Sequence, residues 1–252
     1  MDIVRKIDQH LMEKEQEEWK VSLSAIGRCA RSLWYQHREE YKRAQLPARS
    51  LKVFMFGDMI EDQVVELAKQ TGARVLYTGE DQLTVKLSTP LGELGGHPDG
   101  VIYGDSGTPF LLEVKSCSDV GWKWSPGWSK LDHVPEDNDY YLQIQAYLWS
   151  EEIQEMGIDT CCLIVVAKNT SHMKQIMVPR DEDALETIMD QATWVAQDSP
   201  PVRPYDPHYE KKKKRMILKY PCSYCGYVRH CHPEHVVYIE GGKPVHVTEE
   251  NV

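Results

Sequence analysis

Apolar positions in the first third of the chain recur at helical spacing. Residues 2–20 are a charged, amphipathic stretch with Leu11, Met12 and Trp19 as the main apolar contacts, the pattern of a surface helix. Ala25, Ile26, Leu33 and Trp34 continue that spacing, and Ser24 is placed to cap a second helix running to about Tyr41. A third helix spans Leu51 to Thr71, where Val53, Phe54, Ile60, Val64, Val65, Leu67 and Ala68 cover one broad face and Gly72 ends it. The pattern then changes to alternation. Arg74–Thr78, Leu83–Ser88, Gly95–Tyr103 and Pro109–Ser116 read as strands, the last two joined as a hairpin by Gly-Asp-Ser-Gly-Thr-Pro. Asp139–Met156 returns to helix. Thr160–Lys168 is a buried apolar strand, with Lys174–Val178 as its pairing partner, and Asp181–Gln197 is a last long helix with Asp181 at its N-cap. Pro200, Pro201, Pro204 and Pro207 mark an irregular crossing, and the tail from Pro221 carries three cysteines and a hairpin about Gly241–Gly242.

This order of elements is α/β: a central mixed sheet flanked by helices. At 252 residues the chain suits one large or two small domains and needs no disulfides to build a core. No apolar run approaches the roughly 20 residues of a membrane span, and the charged N-terminus is no secretory signal. We therefore expect a cytoplasmic protein with reduced thiols, in a bacterial, archaeal or phage-infected host cell, and no membrane partner. In that setting seven cysteines read as metal ligands plus buried thiols. Cys117, Cys161 and Cys162 lack ligand-spaced partners, and the last two sit in the apolar strand as packing residues.

A formal net charge of −10 argues against a protein that merely coats nucleic acid. It is compatible with a carboxylate-built site and a local basic face. Arg28, Arg31, Arg38, Lys42, Arg43, Arg49 and Lys52 are candidates for that face. The Lys211–Arg215 run is another, or else a solvated loop.

The chemistry concentrates between His97 and Lys115. Side chains at i and i+2 of a strand share a face, so Glu113 and Lys115 project together while Val114 points into the core. The hairpin lets Asp99 reach the same face. Two carboxylates can hold a hard cation such as magnesium or manganese, and a lysine beside them can orient water, which is the minimum kit for phosphodiester hydrolysis. A lone Glu-x-Lys is usually a solvated cross-strand pair. Here apolar residues flank it, and Pro98-Asp99, thirteen residues, then Glu113-Val114-Lys115 matches the PD-(D/E)XK signature.

Glu61 lies one helical turn after Gly57 and either completes a metal shell or is a surface glutamate. Gln143 and Tyr147 share a helix face and either hold the lysine or a phosphate, or form a helix edge with a core tyrosine. His97, two residues before Asp99, would share its strand face and is an additional candidate for touching the metal or a phosphate. Trp122, Trp124 and Trp128 either stack on unpaired bases or anchor an irregular loop.

Cys222, Cys225 and Cys231 form C-x₂-C-x₅-C, and Cys29 stands alone near the N-terminus. Three thiolates need a fourth ligand. Cys29 would complete an iron–sulfur site; His230 or His232 would complete a zinc ribbon.

Taken together and in order, these residues resemble the iron–sulfur branch of the PD-(D/E)XK nuclease superfamily, which includes RecB-like and AddB nuclease domains and CRISPR-associated Cas-four-type exonucleases, with similar proteins in phages. The resemblance runs from about Ser22 to Cys231. It implies a restriction-endonuclease-like core over 51–199 and a helical iron–sulfur subdomain built from 1–50 and 200–252. It also implies a [4Fe–4S] cluster on Cys29, Cys222, Cys225 and Cys231. Magnesium or manganese would be held by Glu61, Asp99, Glu113 and the Val114 carbonyl, with catalysis by Asp99, Glu113, Lys115, Gln143 and Tyr147. The family commonly has a histidine where this chain has Glu61; a glutamate there is similar to the lambda-exonuclease arrangement. The implied activity is exonuclease action on linear DNA in recombination, repair or phage DNA processing. Prespacer trimming in CRISPR spacer acquisition, or a non-cutting DNA-binding module, are the alternatives. Recombination, replication or CRISPR-adaptation proteins are the implied partners.

Overall fold

The computed structural model describes residues 2–14, 20–240 and 243–248. The first helix, α1 (Ile3–Lys14), packs on the third and is tied to it by a 2.7 Å Lys52–Asp8 ion pair. Leu11 and Met12 are half-buried, and Trp19 lies outside the described residues. Ser24 caps no long helix. It sits inside a single 3-10 turn, Leu23–Ala25, and α2 (Ala30–Gln36) starts only after Cys29. Gly27 accounts for the break, because a methyl there would overlap the Asp139 backbone carbonyl: the chain turns to lie against a later helix.

The long helix α3 (Ala48–Gln70) starts after Pro47 and ends where Gly72 adopts φ +89°. Its apolar face is narrower than the spacing predicts. Val64 and Val65 are buried with Ile60 and Ala68 beside them, whereas Val53, Phe54 and Leu67 are exposed. The buried positions lie in the C-terminal half of the helix, over the sheet, and periodicity alone does not report where a partner surface ends.

The strands follow: β1 (Val75–Leu76), β2 (Val85–Thr89), β3 (Gly92–Gly96), β4 (Gly100–Tyr103) and β5 (Pro109–Cys117). The predicted strand 95–103 is thus two strands, and they belong to different sheets, since β3 pairs with β2 while β4 pairs with β1 and β5. Pro98, which has no N–H to give a ladder, lies in the gap. Short helix α4 (Asp119–Lys123) precedes α5 (Asp139–Leu148) and α6 (Glu151–Glu155). The last two divide the predicted 139–156 helix, with Ser150 starting the second. Then come β6 (Thr160–Ala167), β7 (Met173–Pro179) and α7 (Glu182–Ala196), whose N-cap Asp181 accepts from the Asp183 N–H.

The central sheet has order β1-β4-β5-β6-β7, with β5 and β6 parallel and the other pairs antiparallel. It is therefore a mixed sheet flanked by helices. On one face α3 closes over Val75, Leu112, Val114 and Val166. On the other, Ile144, Tyr147 and Leu148 of α5 and Ile188 of α7 close over Leu111, Leu163, Val165 and Ile176. Covered on both sides, β6 is a continuous apolar run, as central strands are.

Beyond the prolines, β8 (His208–Glu210), β9 (Arg215–Ile217), α8 (Val228–Cys231), β10 (His235–Glu240) and β11 (Lys243–Thr248) complete the chain. β10 and β11 pair antiparallel, and the predicted turn at 241–242 lies outside the described residues. Lys211–Lys214 form the turn between β8 and β9. The two ends of the chain meet. Leu33, Trp34 and Tyr35 pack with Val195 and Tyr227, the Tyr35 hydroxyl donates to the His230 carbonyl (3.2 Å), and the Ala44 N–H donates to the Gly226 carbonyl (2.8 Å). No helix among the described residues is long and apolar enough to cross a membrane.

Candidate active site

The β4–β5 register places Gly100 opposite Leu112, which brings Asp99, the residue just before β4, beside Glu113 and Val114. Gly100 permits this approach at φ +155°, for a Cβ there would stand 2.8 Å from Thr78 Cγ2 and 3.0 Å from the Leu76 carbonyl oxygen. Asp99 Oδ2 then accepts from the Val114 N–H at 2.6 Å. Val114 itself points into the α3-side core while Glu113 and Lys115 face α5, as strand alternation requires.

Glu113 is 1% exposed and Asp99 7%. The Lys115 ammonium donates to Glu113 Oε1, and Gln143 Nε2 donates to the same oxygen at 2.8 Å. Glu113 Oε2 is buried with no hydrogen-bond partner. Burial first, and then the Asp99 charge, push the Glu113 carboxyl up to about 8. Burial likewise raises Asp99 to about 7, with Lys115 opposing and Glu61 adding to it. Burial works against the Lys115 charge, but the Glu113 and Asp99 carboxylates overcome it and hold the ammonium above its ordinary range. One lysine thus faces three carboxyl groups in a low-dielectric corner, and the excess negative charge is met by protons.

Glu61 reaches this corner from α3. It is half-buried, and its carboxyl shares a hydrogen bond with Asp99, with burial raising its pKa. Gly57 is not forced by space: a Cβ there would make ordinary contact, 3.7 Å from Ser116 Oγ. Gln143 also donates to the Tyr147 hydroxyl at 3.2 Å, and both are buried. A residue that sequence reasoning missed, Tyr140, sets its ring 5.5 Å from Lys115 Nζ. It lies three and seven residues before Gln143 and Tyr147 on α5, so their helical spacing contained the signal. His97 does not share a strand face with Asp99. It is exposed in the link between β3 and β4, 3.4 Å from Thr84 Oγ1, because the strand is broken at Pro98. Trp122 and Trp128 are core anchors, whereas Trp124 is 76% exposed.

The donor set suits a hard divalent cation. Three carboxyl groups face one another and one buried carboxylate oxygen has no hydrogen-bond partner, a set of hard oxygen donors of the kind a divalent cation takes.

The thiols of Cys29, Cys222, Cys225 and Cys231 lie within electrostatic reach of one another. Cys222, whose pKa burial raises to about 11, is further raised by the charges of the other three, and burial also raises Cys29 and Cys231. None is in a disulfide. Cys225 Sγ contacts Ser32 Oγ at 3.6 Å, binding the tail to α2. Thiols drawn from both chain ends are a set of soft donors of the kind that a metal centre takes. The histidines weighed as a last ligand turn elsewhere: His230 Nε2 meets the Lys42 carbonyl at 3.0 Å, and His232 faces Glu234 and His235.

No protein-family model and no curated protein matches the chain. Among solved structures, that of SSO0001 superposes with TM-score 0.55 and 18% identity over 92% of this chain and 96% of that one, a likeness of fold. The alkaline exonuclease LHK-Exo from Laribacter hongkongensis gives TM-score 0.46 and 16% identity over 76% of this chain and 90% of its own. A phage-related exonuclease from Haemophilus somnus 129PT gives 0.47 and 14% over 73% and 95%.

Proposed function

We propose that the chain is a magnesium- or manganese-dependent deoxyribonuclease that degrades linear DNA from its ends. The observation that carries this reading is the buried Asp99–Glu113–Lys115 group with one Glu113 oxygen unpartnered. Glu61, Asp99, Glu113 and the Val114 carbonyl would hold the cation. Bound there, it would neutralise charge developing on the phosphate and lower the pKa of an attacking water. Lys115 orients that water and keeps Glu113 aligned. Gln143 fixes the Glu113 oxygen that Lys115 uses, and Tyr147 fixes Gln143 in turn. Tyr140 flanks the ammonium and excludes water from one side of it.

The four cysteines are read as ligands of a [4Fe–4S] cluster, with 1–50 and 200–252 forming its subdomain and 51–199 the catalytic core. Its role is structural, since phosphodiester hydrolysis transfers no electron. A link between residues about 190 positions apart closes a long loop of the unfolded chain.

The test is degradation of end-labelled linear single- and double-stranded DNA with magnesium or manganese, by protein purified without oxygen. Lys115→Ala and Glu113→Ala stand beside the wild type. Cutting by the wild type and a loss of about 100-fold or more in both variants is expected. Three equally inactive proteins with iron retained would overturn the reading in favour of a DNA-binding module.

A further inference from the structure

His232, Glu234 and His235 lie where α8 gives way to β10, apart from the carboxylate site. Each offers a ligand atom, and these atoms all lie within 4.8 Å of one another. The turn is closed by a 3.1 Å bond from the His235 N–H to the His232 carbonyl, and the two imidazoles stand edge to face with centroids 5.4 Å apart.

We propose that these three side chains are a second metal site, for a divalent transition ion of the zinc class. The imidazoles are 2% and 9% exposed, yet His232 Nε2 has no hydrogen-bond partner, and the His235 ring has the His246 backbone beside it with neither nitrogen in good bonding geometry. A neutral core histidine would bond at least one ring nitrogen, because an unsatisfied buried polar atom is costly, and His235 bonds neither in good geometry. The one bonded nitrogen, His232 Nδ1, is 3.3 Å from Glu234 Oε1. That is close to the separation of about 3.4 Å between two donors on one tetrahedral ion at bond lengths of about 2.0–2.1 Å. Two imidazoles and a carboxylate select zinc-like ions over magnesium, and a three-donor set leaves a fourth position for water. Arg203, 3.0 Å from Glu234 Oε1, competes for the carboxylate, but both side chains are partly exposed, so the guanidinium can withdraw to solvent. The ion would pin the start of the β10–β11 hairpin directly after Cys231, making this corner a metal-fastened turn independent of the nuclease reading.

The experiment uses the full chain, purified without oxygen, in excess magnesium to fill the carboxylate site, and titrated with cobalt(II) as probe. We expect one equivalent to bind with the intense visible bands of a tetrahedral ion and without thiolate-to-cobalt charge transfer. His235→Gln and Glu234→Gln should each weaken it at least tenfold while iron content and DNA degradation stay unchanged. Should His235→Gln fail to fold, Glu234→Gln decides alone, since Glu234 is exposed. Absent tetrahedral bands, charge-transfer bands from the cysteines, or equal affinity in a folded variant would each overturn the proposal.

Discussion

Replacing Glu113 by glutamine should make the metal-free protein less sensitive to pH. Glu113 is 1% exposed, with one oxygen shared by Lys115 and Gln143 and the other unpartnered. Burial and the neighbouring Asp99 push its carboxyl from 4.5 up to about 8. The unfolded chain releases this proton near its ordinary value, while the folded protein holds it to about pH 8. The folded state therefore binds more protons across that window, and stability is lost as pH rises through it. Between pH 5 and pH 8 the loss from this group is about 3 kcal/mol, at about 1.4 kcal/mol per pKa unit. For a chain of this size that corresponds to about 6–12 °C in Tm. Glutamine keeps the shape and an acceptor for Lys115 and Gln143 but cannot ionise. Melting temperatures of wild type and Glu113→Gln, dialysed against EDTA and measured at pH 5, 6, 7 and 8, give the difference, because titrations away from this carboxylate cluster are common to both proteins. The wild type should lose about 6–12 °C more than the variant over that range. Manganese added at pH 8 should restore the wild type and leave the variant unmoved. Parallel pH profiles would refute the reasoning, for Glu113 would then not be ionising against its burial.

Three further outcomes follow from the geometry. Gly96→Ala would place a Cβ 2.5 Å from Tyr147 Cε1 and 3.0 Å from Leu23 Cβ, so it should cost about 1–3 kcal/mol in urea unfolding and depress DNA degradation by displacing Tyr147. Tyr147→Phe removes only the hydroxyl that Gln143 meets at 3.2 Å; melting should shift by less than about 1 kcal/mol, while the turnover rate falls about tenfold at unchanged KM. If the cysteines hold a cluster, Cys29→Ser should lower iron per chain and the brown absorbance, and limited proteolysis should then cut near both chain ends, where α2 and the tail pack together.

Much of the core was legible along the chain because its signals are local. The apolar run of β6 announces a strand covered on both faces, Asp181 announces the α7 N-cap, and Glu113 and Lys115 share a face by strand alternation alone. Where local signals misled, a tertiary contact had intervened. Gly27 breaks the predicted second helix because Asp139 presses on it, and three of the seven residues of the predicted apolar face of α3, Val53, Phe54 and Leu67, are exposed because no partner surface covers them.

The sequence by itself determined which residue types could do chemistry and on which elements they ride, since spacing and side-chain identity are properties of the chain. It also listed the donors: Asp99, Glu113, Lys115 and the four cysteines. Only the tertiary structure decided which donors meet. Asp99 reaches Val114 through hairpin register and the room that Gly100 allows, and Glu61 arrives from a helix on the opposite face of the sheet. His97 is left in solvent, and His232 and His235 are buried side by side with unsatisfied nitrogens. Burial and convergence depend on contacts between distant segments, and they alone turn a carboxylate or an imidazole from a solvated group into one whose charge or lone pair requires a partner.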